Sequence, residues 1–175
     1  MSNDTPRGTT PEHDVPWLSP GQQRDWRALI ALIMTLPPAL DAQLKRDGGL
    51  NGFEYHVLAA LSEAPHRTLV LSNLATLAQG SLSRVSHAIT RLERAGWVER
   101  RSLPNRGGRH TEARLTDAGF AKLEEIVPGH VREARRLVVD ALTPEQLAAL
   151  GDAARTITAV TMAEQPEMCR ESGDC

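Results

Sequence analysis

A chain of 175 residues has the length of one ordinary domain with a real core. Formal net charge is only -2, yet residues 82 to 114 hold eight arginines (84, 91, 94, 100, 101, 106, 109 and 114) against Glu93, Glu99 and Glu112. A basic block inside an otherwise acidic protein points to a local electrostatic contact and excludes a uniformly adhesive surface. The run "ALIALIM" is stopped by Thr35 and Pro37-Pro38 before it reaches the roughly 18 to 20 apolar residues of a membrane span. "MSNDTPRGTTPEHD" lacks the layout of a signal peptide, so a cytoplasmic protein without membrane contact is expected. Cys169 and Cys175 lie in a polar tail and read as reduced thiols there, with a redox switch or an intermolecular disulfide as the alternatives.

Residues 1–15 and 163–175 lack apolar periodicity and are expected to be disordered tails. Between them, 16–162 reads as one domain. "SPGQQRDWRALIALIMTLPPAL" opens a helix with Ser19 as cap, Pro20 in the first turn and Gln22 three residues after the cap. Trp26, Leu29, Ile30 and Ile33 form one stripe, and Pro37-Pro38 are expected to kink or interrupt the helix before the glycines at 48 and 49 stop it. "NGFEYHVLAALSEAP" predicts a short helix with Phe53, Val57 and Leu61 inward, and "HRTLVL" reads as a connector. "SNLATLAQ" predicts a third helix capped by Ser72 and burying Leu74 and Leu77, which Gly80 ends. Ser81 then caps "LSRVSHAITRLERAG", with Val85, Ile89 and Leu92 on one face and Gly96 as its stop. Two such helices joined by a tight turn make a helix-turn-helix.

"WVERRSL" and "RHTEARL" alternate as half-exposed strands do, and Pro104, Asn105 and Gly107-Gly108 supply a turn between them, which gives a β-hairpin wing. After a cap at Thr116, apolar positions 120, 123, 127, 131, 134 and 138 form a coiled-coil-like seam bent by Pro128. Thr143, Pro144 and Gln146 open a last helix with the stripe Leu147, Leu150, Ala154 and Ile157. The fold class is therefore mainly α with a small β-hairpin wing: a winged helix-turn-helix core at about 51–116, flanked by dimerisation helices at about 19–47 and 117–162. Apolar seams that the small core cannot cover imply that two copies pack together.

Enzymatic readings lack parts, and no catalytic residue, cofactor or metal ligand is assigned. Gly107-Gly108 is followed neither by Lys-Ser nor by Lys-Thr, as a phosphate-binding loop requires, and there is no Gly-x-Ser-x-Gly elbow. Histidines 13, 56, 66, 87, 110 and 130 are scattered without metal-ligand spacing, which leaves open only a metal site assembled in three dimensions.

A nucleic-acid reading has parts that fit one another. Opposite its apolar face the fourth helix offers Ser83, Arg84, Ser86, His87, Thr90 and Arg91, donors and acceptors suited to base edges and phosphates of double-stranded DNA, with Ser81 at its N-terminus. Arg84 is the candidate to fork to a guanine, whereas Ser86 and Arg91 are candidates for phosphates. Arg106 and Arg109 flank the hairpin glycines, where a narrow minor groove would attract them. A solvated helix face and a loop with coincidental arginines are the plainer readings. Trp97 reads as a core anchor before a base-stacking residue. Trp26, Tyr55 and His56 serve either as packing or as the wall of a ligand pocket.

The segments "FEYHVLAALSEAP", "LSRVSHAITRLERAGWVERR", "PNRGGRHTEARLTDAG" and "LTPEQLAAL" together resemble the MarR (multiple antibiotic resistance regulator) family over about residues 17 to 162. That resemblance implies a homodimer on an imperfect inverted repeat, usually a repressor, released by a small phenolic or other anionic ligand or by cysteine oxidation. Two departures stand out. Arg109 matches the family's wing arginine, but Gly107 and Gly108 stand where a bracing aspartate belongs, and no cysteine lies in the first helix, where the oxidation-sensing branch carries one. The alternative class is a dimeric small-molecule-binding or interaction protein that does not read DNA.

Overall fold

The computed structural model describes residues 15–103 and 110–163. The hairpin tip with Arg106, Arg109 and the glycine pair, both tails and both cysteines lie outside the described residues. The chain divides into two compact units, Met1–Thr35 and Leu36–Cys175.

Helix α1 spans Pro20–Gly48 and opens on the expected cap: Ser19 Oγ accepts from Gln22 N at 3.3 Å while Ser19 N donates to Gln22 Oε1 at 2.9 Å. Of the expected kink or interruption, the interruption does not occur, since Pro37 and Pro38 lie inside the continuous helix. Each proline withdraws one N–H from the helical ladder, but the surrounding turn is exposed, so the carbonyls left over face solvent. The uninterrupted helix is, by length and composition, long and apolar enough to cross a membrane, a property that the expected break had excluded. In the first unit Val15, Trp17, Leu18, Trp26, Ile33 and Met34 are exposed.

The second unit carries the core. After the C-terminal part of α1 come α2 (Gly52–Glu63), strand β1 (Thr68–Val70), α3 (Leu71–Leu77) and α4 (Leu82–Arg94). Strands β2 (Val98–Leu103) and β3 (His110–Leu115) follow, then α5 (Asp117–Ala134), a wide π-helical stretch (Arg135–Val139) and α6 (Pro144–Ala163). Val57, Leu58 and Leu61 of α2, Leu74 of α3, the face Val85, Ala88, Ile89 and Leu92 of α4, Val98, Ala113 and Leu115 of the sheet and Ile126 of α5 are all buried in one cluster.

The "HRTLVL" connector is in part a strand. β1 pairs antiparallel with β3 (Leu69 opposite Ala113), and β3 pairs with β2 (Val98 opposite Leu115, Arg100 opposite Ala113), giving a three-stranded sheet in the order β1-β3-β2. Three residues between a turn and a helix are too few to show alternation, which is why the strand escapes a sequence reading. Two details of α3 also differ from expectation. The helix begins at Leu71, directly after β1, with Val70 rather than Ser72 at its N-terminus and no side-chain cap, and Leu77 is 60% exposed while Leu71 takes a buried place.

Helix ends are set by specific bonds. α4 closes with Gly96 at φ 75°, Trp97 N donating to Leu92 O and Gly96 N to Glu93 O, the paired bonds of a left-handed glycine cap. α3 closes by the same scheme, but there Gln79 takes the left-handed position at φ 51°. Thr116 caps α5 by accepting from Gly119 N at 3.0 Å and donates to Gly96 O at 2.8 Å, which fastens the start of α5 to the end of α4. Thr143 and Gln146 form the expected reciprocal box at α6.

Two substitutions should move stability in opposite directions. A Cβ at Gly119 would collide with the carbonyl of Trp97 and with Leu115, so Gly119→Ala is expected to cost about 1–3 kcal/mol despite the better helix propensity of alanine. Gln79→Gly relieves a left-handed non-glycine residue and should gain up to about 1 kcal/mol. Urea unfolding midpoints at unchanged slope would read both, and a stabilised Gly119→Ala would contradict the close packing described.

Candidate nucleic-acid interface

The polar face of α4 follows from its apolar one. With Val85, Ala88, Ile89 and Leu92 at most 1% exposed, the helix can rotate no further, and Ser83, Arg84 and His87 are necessarily turned outward. Ser81 caps the helix by accepting from Arg84 N at 3.2 Å. Ser81, Ser83, Arg84, His87 and Arg91 line one open cleft, together with Asp41 of α1 and with Asn51 and Phe53 at the start of α2.

That start of α2 is held by a capping box that the sequence reading did not single out: Asn51 Oδ1 accepts from Glu54 N, and Asn51 N donates to Glu54 Oε2, both at 2.9 Å. The Asn-x-x-Glu pattern at 51–54 is its visible signal. Three neighbouring residues then reach two other elements, α1 and α4. Gly52 N donates to Asp41 Oδ1 at 2.7 Å, the Phe53 ring lies under Arg84, whose guanidinium carbon is 4.1 Å from the ring centroid, and Glu54 Oε1 accepts from Arg91 Nε. Lys45, 2.5 Å from Asp41, and the Gly52 N–H hold the Asp41 carboxyl below its usual range, so it stays ionised. The Glu54 side chain is 7% exposed and Arg91 is 55% exposed, so Arg91 neutralises a buried carboxylate while keeping part of its guanidinium at the surface.

Thr90 and Ser86 are engaged on the other flank. Arg100 of β2 donates from Nη2 to Ser86 O at 2.7 Å and to Thr90 Oγ1 at 2.6 Å, and Thr90 Oγ1 in turn donates to Ser86 O. Arg100 N donates to Glu93 Oε1 at 3.0 Å, and its Nε forms an ion pair with Glu93 Oε2 at 2.9 Å without a well-aligned hydrogen bond. Arg100 thus ties the base of the wing to α4, a role sequence reasoning missed because alternation placed it without naming a partner. Trp97 is partly buried against the core.

Of the three candidate pocket residues, Trp26 belongs to the first unit and is 51% exposed. In the second unit Tyr55 meets the ring of His130 on α5 at 4.4 Å and that of His56 edge-on at 5.8 Å, while His130 Nδ1 lies 3.2 Å from Oε1 of buried Gln43. Burial, then the charge of Glu63, raises the Tyr55 pKa, whereas burial, then His56, lowers that of His130. Among the described residues no group of three or more His, Cys, Asp or Glu is placed to hold a metal ion.

A capped helix with an exposed polar face, a tight turn before it and a strand pair braced to it define a winged helix-turn-helix of the nucleic-acid-binding class. Comparison with solved structures specifies it further. Sco3205 of Streptomyces coelicolor, a MarR family transcriptional regulator solved in complex with DNA, is 41% identical over 87% of this chain and 96% of its own, with a TM-score of 0.79. AbsC, a MarR family transcriptional regulator of the same organism, is 33% identical over 85% of this chain and 99% of its own, with a TM-score of 0.78. No protein-family model matches the chain, and no curated protein matches it. The chain belongs to the MarR family of transcriptional regulators. Membership sets aside both the enzymatic readings and the dimeric binder that does not read DNA.

The His130 environment sets an acid limit with a definite sign. A histidine whose folded pKa lies below its ordinary 6.5 binds fewer protons folded than unfolded, so its contribution is complete above 6.5 and declines as pH falls through and below that value. His130→Gln, which keeps an amide toward Gln43, is expected to flatten the fall in unfolding free energy between pH 7 and 5 measured by urea titration. Identical slopes for both proteins would contradict this reading.

Proposed function

We propose that the protein is a homodimeric, ligand-responsive repressor that binds an inverted-repeat operator. Helix 82–95 enters the major groove and residues 104–110 the minor groove of each half-site, with half-sites about one helical turn apart. The observation that carries the reading is the outward face of α4, with Ser81, Ser83, Arg84 and His87 exposed along one cleft, in a chain 41% identical to a regulator solved on DNA. In this reading Arg84 contacts a base edge. Ser81, Ser83, Ser86, His87, Thr90 and Arg91 complete the contacts of the helix, and Arg106 and Arg109 meet the minor-groove wall.

Domain organisation follows the same logic: residues 51–116 read DNA and the flanking segments 19–47 and 117–162 join two copies. Exposed apolar side chains support that pairing, Trp26, Ile30, Ile33 and Met34 in the first unit and Val131, Ile157, Val160 and Met162 in the second. A small anionic or phenolic effector acts on the dimer in the cytoplasm, with Tyr55 and His56 as candidate contacts in the second unit and Trp26 as a separate candidate in the first. The half-buried Tyr55–His130 pair supplies the aromatic and hydrogen-bonding surface such a ligand needs.

Salt and mutation separate the contacts. Binding to promoter DNA should weaken with a steep negative slope of log affinity against log salt, and a flat line would end the proposal. Arg84→Ala is expected to relax preference at one base pair by roughly 1–3 kcal/mol. Arg106→Ala should weaken binding to all sequences alike and leave the major-groove preference in place. Equal loss on every sequence for Arg84→Ala would remove it as a reader.

A further inference from the structure

We propose that Phe53, in the first turn of α2, is a positioning residue that sets DNA specificity by orienting Arg84. The proposal rests on the assignment of Arg84 as a base reader. An arginine side chain alone on a helix surface samples many rotamers, and a bidentate contact needs one plane and one direction. The Arg84 guanidinium carbon stands 4.1 Å from the centroid of the Phe53 ring, within reach of a cation–π contact that favours a flat guanidinium over the ring face. Stacking uses the face of the guanidinium and leaves its edge N–H groups free, and the edge is what a guanine O6/N7 pair requires.

The ring is itself fixed from behind. It packs against the core cluster, and Gly80 gives it room: a Cβ at 80 would stand 2.6 Å from both Phe53 Cε2 and Cζ. Gly80 is not the residue that supplies the left-handed turn, since Gln79 carries the positive φ. The glycine of the turn is therefore accounted for by clearance for the ring, and the turn and α2 agree on where Arg84 must lie. Adjacent bonds hold the platform in place, Gly52 N donating to Asp41 Oδ1 and Arg91 Nε to Glu54 Oε1. Phe53 lies on neither helix of the helix-turn-helix, so it sets direction through Arg84 and is no base reader itself.

The test uses the full-length protein and duplexes that the wild-type protein selects from a random library, each then substituted at one base pair at a time. Phe53→Leu keeps apolar bulk and removes the ring face. It should keep wild-type secondary structure, cooperative thermal unfolding and the salt slope, yet lose about three- to tenfold discrimination at the base pair where Arg84→Ala loses it. Adding Phe53→Leu to Arg84→Ala should cost no further discrimination there, and Gly80→Ala, which displaces the ring from its other side, should show the same position-specific loss. If Phe53→Leu does not fold, Phe53→Met and Gly80→Ala carry the test. Wild-type discrimination at that base pair, or an equal loss on all sequences, would overturn the proposal while leaving Arg84 a reader. If Arg84→Ala itself leaves every preference intact, the reader assignment falls and this proposal falls with it.

Discussion

Burial of one face of α4 is the constraint on which the rest of the molecule depends. Val85, Ala88, Ile89 and Leu92 lie at 0–1% exposure between α2, α3 and the sheet. Each fully buried aliphatic side chain contributes on the order of 1.5–3 kcal/mol relative to exposure, so turning the helix by even one residue position would forfeit several such contributions. Because α4 cannot rotate, its outward residues are fixed in direction by residues that have nothing to do with DNA. Core packing and surface chemistry are two faces of the same decision.

Polar contacts then set what the apolar core leaves free. A hydrophobic interface tolerates small sliding, whereas hydrogen bonds to named atoms do not. Arg91 to Glu54 pins one flank of α4 to α2, and Arg100 to Ser86 O, Thr90 and Glu93 pins the other to β2. The second clamp matters for the wing. Where the resemblance to the family implies a bracing aspartate this sequence has Gly107 and Gly108, while Arg100 fastens β2 to α4 near the start of the strand. A wing leaves its helix from the base, so a clamp there sets the angle of departure whatever the tip residues are.

Much of this was legible in the sequence wherever a signal was local. Caps at Ser19, Ser81, Thr116 and Thr143 and the stop at Gly96 could be read from residue type and spacing, because each is decided by bonds within five residues. The stripe 85, 89, 92 was legible because a period of 3.6 leaves a repeated mark. Failures arose where the deciding partner is distant. β1 exists because β3 pairs with it, 42 to 46 residues away in the chain, and the spacing of Leu77 to Leu74 predicts an inward side chain although the buried positions of α3 are Leu71, Leu74 and Ala75. Pro37 and Pro38 weigh against a helix in isolation, yet two lost bonds in an exposed turn do not outweigh the helical run on either side.

The candidate site shows the same division. Which residues face outward on α4 follows from its period, but what each one touches does not. Arg84 and Arg91 are seven residues apart on one helix, and the sequence names a partner within the protein for neither; the fold gives the first an aromatic face and the second a buried carboxylate. An arginine stacked on a ring keeps its donors free for a partner, and one tied to a carboxylate has already committed a donor and much of its charge. Partners on α2 therefore divide two similar cations into one whose donors stay free and one that holds the helix in place. That division is made by Phe53 and Glu54, adjacent residues of an element outside the helix-turn-helix.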